Sequence, residues 1–114
     1  MCNRNESIQI RDEAYVLCRE VLGEKLTDCY LYGSFARGDF NSESDVDIMM
    51  VVAMTYEELN RLRSQISRIG SRLSLKYDVT VSIKLQPVSV LERYKEALPF
   101  YRNVLKEGLR YDAG

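Results

Sequence analysis

Two aspartates, Asp45 and Asp47, stand two positions apart at the head of an apolar run that continues through Ala53. On an extended strand, residues two apart project from the same face, so both carboxylates point one way. Like charges held that close repel each other unless something positive sits between them. A pair of Mg²⁺ ions roughly 3.5–4 Å apart would satisfy them, and Mg²⁺ usually takes one or two carboxylates and completes its shell with phosphate oxygens. A third carboxylate, Asp78, opens the polar side of the alternating segment 77–85. If that segment is a strand beside the one carrying Asp45 and Asp47, the three acids converge at interstrand distance. Asp45 and Asp47 would then bridge the metals, and Asp78 would complete the site that binds and deprotonates a hydroxyl acceptor. The other metal would hold a triphosphate and neutralise its departing pyrophosphate.

Upstream, Gly33-Ser34 follows the short apolar stretch Cys29-Tyr30-Leu31-Tyr32. Glycine lets the backbone approach a phosphate, and a serine hydroxyl with nearby N–H groups can donate to it. Arg37 is close enough in sequence to reach the same phosphate, or equally to pair with Asp39 or Glu43 at the surface. Gly38 serves the turn that follows. Ser42 and Ser44 read as loop residues, Ser44 placed to orient Asp45. The plainer alternatives are two solvated carboxylates at a loop end for Asp45 and Asp47, and a surface charge for Asp78.

These groups need a scaffold. Ile10, Ala14, Leu17, Cys18, Val21 and Leu22 recur at helical spacing, with Gly23 as the stop. Residues 29–32 and 46–53 read as strands. Thr55 and Glu58 form a capping box ahead of the stripe Leu59, Leu62, Ile66, Ile69 and Leu73. In the segment 77–85, Val79, Val81 and Ile83 face one way, while Asp78, Thr80, Ser82 and Lys84 face the other. Ser89 and Glu92 suggest a second capping box for a helix that ends before Pro99, and a last helix runs to about Gly108. The order helix, strand, strand, helix, strand, helix, helix describes a small sheet with helices packed on it. With no repeat or linker, residues 1–114 read as one domain. Arg61, Arg63, Arg68 and Arg72 fit a solvated helix face, and most of the tyrosines fit packing roles.

Composition narrows the chemistry. The chain has no histidine, which excludes Ser-His-Asp and Cys-His mechanisms and leaves carboxylates, lysine, tyrosine and metal-bound groups. A formal charge of −1 gives no strong nucleic-acid signal. The polar start cannot act as a signal peptide, and no apolar run is long enough to span a membrane. Three cysteines without CxxC spacing suit reduced thiols, hence a cytoplasmic setting.

Gly33-Ser34, ten intervening residues and Asp45-x-Asp47 resemble the signature of the DNA polymerase beta-like nucleotidyltransferase superfamily. The fuller string Gly-Ser-x-Ala-Arg-Gly…Ser-Asp-x-Asp is similar to its minimal nucleotidyltransferase (MNT) branch. The resemblance takes in nearly the whole chain. It implies an α/β (α+β) nucleotidyltransferase fold, a small mixed β-sheet flanked by helices, with an NTP (ATP foremost) and Mg²⁺ as cofactors. By residue it implies metal roles for Asp45, Asp47 and Asp78 and a phosphate role for Gly33 and Ser34. Many such proteins are antitoxins that transfer AMP to a tyrosine of a helical HEPN-type partner, which sets the expected function and partner here. Two alternatives stand beside it: a non-catalytic antitoxin acting by occlusion, and an enzyme that modifies a small molecule of the aminoglycoside type. The chain has no length for a helical acceptor domain, so the acceptor site is expected to be completed by a partner or by a homodimer. The tail residues Leu91, Tyr94, Leu98, Tyr101, Leu105 and Leu109 offer a ridge for such a contact.

Overall fold

The computed structural model describes residues 2–112. Its elements run α1 (Arg4–Leu22), β1 (Leu26–Tyr32), α2 (Ser34–Arg37), β2 (Val46–Val52) and α3 (Tyr56–Asn60). They continue as α4 (Arg63–Tyr77), β3 (Val81–Pro87), α5 (Val88–Tyr94), α6 (Pro99–Glu107) and β4 (Leu109–Arg110). The strands form one mixed sheet in the order β3-β2-β1-β4, with β2 antiparallel to β1 and parallel to β3.

The sheet is covered on both sides, and β2 shows it. Every residue of β2 except Asp47 is buried, as a strand with helices on both faces demands. Ile48, Met50 and Val52 pack with Ile10, Ala14 and Cys18 of α1 and with Ile66, Ile69 and Leu73 of α4. Both helices present one apolar stripe at 3.6-residue spacing, as the sequence predicts. Met49 and Val51 face the other way, with Tyr30, and meet Leu91 of α5 and Val104 of α6. Asp47 belongs to this second face.

Several boundaries differ from the sequence expectation. The Thr55–Glu58 capping box is present with both reciprocal bonds, but it caps only α3, and the chain turns at Arg61-Leu62 before α4 begins. The expected Ser89–Glu92 box is absent: α5 starts directly after Pro87, so Ser89 already lies within the helix. β4 had no counterpart in the sequence pattern. It pairs with β1, and the buried Arg11 holds it by donating from Nη1 to the Leu109 carbonyl at 3.0 Å while pairing with Asp12 at 2.7 Å. Tyr111 stacks on Tyr15 of α1 at 3.9 Å between ring centroids. Among the described residues no helix is long and apolar enough to cross a membrane.

The largest correction concerns Asp78. It is not on a strand: α4 runs through Tyr77, and Asp78 caps it in the left-handed conformation at φ 53°, ψ 45°. The bonds at this junction explain why. Ser74 Oγ donates to the Gly70 carbonyl at 2.8 Å and accepts the Val81 N–H at 2.9 Å, so one hydroxyl joins the last turns of α4 to the first residue of β3.

Candidate functional site

The site lies where β1 ends, α2 begins and β2 starts. Gly33 joins β1 to α2 at φ 78°, ψ −156°, a conformation open to glycine and costly for other residues. A Cβ at this position would stand 2.5 Å from Asp47 Oδ2. The bare turn and the carboxylate are therefore in close apposition. Ser34 is the first residue of α2, and in the first turn of any helix the leading N–H groups have no acceptor within the helix. Phe35 and Ala36 are buried and anchor α2 to the sheet, Phe35 stacking on Phe40 at 4.5 Å. The Ala36 carbonyl also accepts from Arg4 Nη2 at 2.8 Å, which ties α2 to the start of α1.

The loop 39–45 then leads to Asp45. The Asn41 side chain accepts the Glu43 N–H at 2.8 Å, and the Ser44 hydroxyl accepts the Asn41 N–H at 2.9 Å. Ser44 is thus a loop residue, as the sequence reading had it, and its hydroxyl helps to close the loop. The Thr80 carbonyl accepts the Val46 N–H at 2.8 Å and aligns the start of β2 with β3.

Asp45 is exposed and Asp47 half-buried. Burial pushes the Asp47 carboxyl above its ordinary value, the Asp45 charge adds to that, and Arg37 pulls against it. The two acids are thus near enough for the Asp45 charge to act on Asp47. Arg37 itself pairs with Asp39 at 3.2 Å, the surface alternative weighed from the sequence, while still acting on Asp47. Burial and the Asp47 charge hold the neighbouring Tyr32 phenol at about 12.

Asp78 shares a cleft of about 440 Å³ with Asp45, Phe35, Asn41, Val79 and Thr80, and Asp47 is not among the residues that line it. Among the described residues no three His, Cys, Asp or Glu side chains are grouped to hold a metal ion. On the Asp47 face, the cross-strand partner from β3 is Ser82, followed by Lys84 opposite Met49. Lys84 Nζ rests over the Phe100 ring at 4.9 Å.

A second, smaller cleft of about 190 Å³ adjoins Gly33 and Arg37 and is lined by Tyr32, Phe100, Asn103 and Glu107. Sequence reasoning missed these α6 residues. Their only signal was the amphipathic pattern of the last helix, which does not say which face of the sheet that helix covers. Of the tail ridge expected from the sequence, Leu91 of α5 is buried in the core, while Leu98 and Leu105 are exposed.

The family model described as "Polymerase beta, Nucleotidyltransferase" matches residues 17–109. Two proteins of Methanocaldococcus jannaschii, both named protein adenylyltransferases, are similar to this chain. One is 40% identical over 79 residues, covering 68% of this chain and 76% of the relative. The other is 30% identical over 104 residues, covering 91% and 95%. Among solved structures, a toxin–antitoxin crystallised with AMP-PNP matches with a TM-score of 0.54 at 22% identity, covering 96% of this chain and 72% of that one. A mutant of the toxin–antitoxin MntA–HpeT matches with a TM-score of 0.50 at 19% identity, over the same shares of the two chains. At these identities the structural matches establish the fold, the mixed-sheet nucleotidyltransferase fold.

Proposed function

Because the chain belongs to the polymerase beta nucleotidyltransferase family, and is on that ground a nucleotidyltransferase, we propose that it is a protein adenylyltransferase. It moves AMP from ATP to a tyrosine hydroxyl of a HEPN-type partner and acts as the antitoxin of that pair. The observation that carries this reading is the close approach of Gly33 to Asp47, a side-chain-free turn set against a carboxylate. The names of the two archaeal relatives support protein as acceptor. The toxin–antitoxin of like fold, crystallised with AMP-PNP, supports an adenine nucleotide and a toxin partner. The free, buried thiols of Cys2, Cys18 and Cys29 suit a reducing cytoplasm.

The donor set fits a nucleotide-bound divalent ion. Asp45 and Asp47 offer two carboxylates whose mutual repulsion a cation relieves, and two carboxylates with phosphate oxygens are the usual Mg²⁺ complement. When bound, that ion supplies charge neutralisation for the phosphates. The chain's own residues do the positioning. Ser34 Oγ and the backbone beside Gly33 donate to phosphate oxygens, and Arg37 adds positive charge next to them. The acceptor oxygen bonds to the α-phosphorus, the bond to the bridging oxygen breaks, pyrophosphate leaves with that electron pair, and the hydroxyl proton is released.

To test this, the protein is incubated with Mg²⁺, ATP labelled on the α-phosphate and the product of the neighbouring reading frame. Label on a tyrosine of that protein, lost with Asp45→Asn, is the expected result. Its absence, or label indifferent to Asp45→Asn, refutes the reading. The second reading, an antitoxin that works by covering its partner, has one observation in its favour. Phe100 exposes apolar surface beside Tyr32, and Leu98 and Leu105 are exposed on the same C-terminal segment. Under that reading the Asp45→Asn, Asp47→Asn double variant still protects.

A further inference from the structure

The two strands that flank β2 decide what stands beside Asp47. Its cross-strand partner on β1 is Tyr32 and on β3 is Ser82. Both lie on the Asp47 face: Tyr32 packs with Met49 and Val51 beneath α5 and α6, and the next β3 residues on that face contact α6. Lys84 does so through Phe100, and Gln86 by accepting from the Tyr101 hydroxyl at 3.2 Å. Neighbouring strands run about 4.7–4.9 Å apart, so a carboxylate reaches the Asp47 level from a directly opposed position, and diagonal neighbours stand about 7–8 Å off. The directly opposed residues are a phenol and a hydroxyl. The diagonal positions toward β3 are Thr80 and Lys84, again not acids. Asp78 has the matching parity but lies before the strand begins, in a left-handed turn, and lines a cleft with Asp45 that does not include Asp47.

We propose that this chain's own donors hold one divalent cation per bound nucleotide, shared by Asp45 and Asp47, and that Ser82 occupies the position from which a carboxylate would hold a second, acceptor-side cation. The inference rests on the nucleotidyltransferase reading of the same site. It departs from the three-acid, two-ion arrangement that the sequence suggests. An incoming hydroxyl meets the neutral Ser82 on this side of Asp47. Any further ligand for a second cation must come from the acceptor or the partner.

The test is equilibrium dialysis of the full chain against Mn²⁺ with saturating AMP-PNP, counting Mn²⁺ retained per chain. One is expected for the natural protein. Two are expected for Ser82→Asp, whose new carboxylate sits on an exposed strand position and should leave the fold intact. Asp78→Asn, which keeps a residue tolerant of the left-handed turn, should retain one. Two ions in the natural protein, or a lower count in Asp78→Asn, overturn the inference while leaving the functional reading standing. So does a Ser82→Asp protein that stays folded and holds one. No Mn²⁺ in the natural protein sinks the functional reading as well. The natural protein and Asp78→Asn decide the matter even where Ser82→Asp misfolds.

Discussion

Replacing Gly33 by alanine separates two effects that one residue combines. The first is backbone strain: at φ 78°, ψ −156° a side chain costs about 1–3 kcal/mol. For a small domain each kcal/mol is worth roughly 4–8 °C in Tm, so the melting midpoint falls by roughly 4–24 °C, the product of the two ranges. The second is displacement: the new methyl would stand 2.5 Å from Asp47 Oδ2, closer than real Cβ contacts come, so the carboxylate must swing away. A misplacement of about 1 Å in a catalytic group costs on the order of 10²-fold in rate. Label transfer per folded molecule should therefore drop by at least about that factor. Gly38→Ala is the control. Gly38 sits at φ 89°, ψ 5°, and a Cβ there meets nothing within 4 Å. It pays a left-handed cost of about 1–2 kcal/mol without touching Asp47. Circular dichroism melts and the label-transfer assay on both variants give the answer. A folded Gly33→Ala protein with natural activity, or a Gly38→Ala protein equally impaired, refutes the argument that glycine is there to make room for the carboxylate.

Three other outcomes follow from the same structure. Because burial and Asp45 raise the Asp47 pKa above its ordinary 3.8, the folded chain binds that proton more tightly than the unfolded chain, and ionisation costs stability. Asp47→Asn should raise the Tm of metal-free protein at neutral pH, by a margin that shrinks as pH falls through the raised value and vanishes below the ordinary one; an unchanged Tm at neutral pH contradicts it. Burial holds the Cys18 and Cys29 thiols at about 12, so a disulfide reagent at mild pH should label them only after denaturation. Rapid labelling of native protein would mean that the core opens. Thr55→Ala removes the hydroxyl that accepts the Glu58 N–H, one of the two bonds of the α3 capping box, and should cost about 1 kcal/mol, read as a lower urea midpoint; no change would show that this bond does not hold α3.

The parts of the fold legible in the sequence are those whose burial is one-sided or complete. α1 and α4 show their stripes because one face meets the sheet, and β2 shows a continuous apolar run because both faces are covered. β4 left no pattern, since two residues are too few to carry a period. It exists through the Leu109 carbonyl's bond to Arg11 and the stacking of Tyr111 on Tyr15, contacts across most of the chain. The Ser89–Glu92 spacing matched a capping box by residue type alone, whereas Pro87 lets β3 pass into α5 with no turn to cap.

The candidate site divides along the same line. Gly33 and Asp47 meet because β1 and β2 are antiparallel neighbours, and the register Tyr32↔Asp47 follows directly from that pairing. The ten residues between Ser34 and Asp45 are therefore a local ruler. Asp78 reaches the sheet only through the fifteen residues of α4. One residue more or less of helix turns the exit direction by about 100°, so small errors in where α4 stops decide whether Asp78 faces the metal site or leaves it. The alternation of 78, 80, 82 and 84 does point to the correct face of β3, as Ser82 and Lys84 attest. What it cannot reveal is that Ser74 captures the Val81 N–H and delays the strand until that residue. A polar residue three positions from the end of a helix is the kind of group that sets such a boundary. Its partner is chosen by how the helix packs on the sheet, which is a tertiary fact.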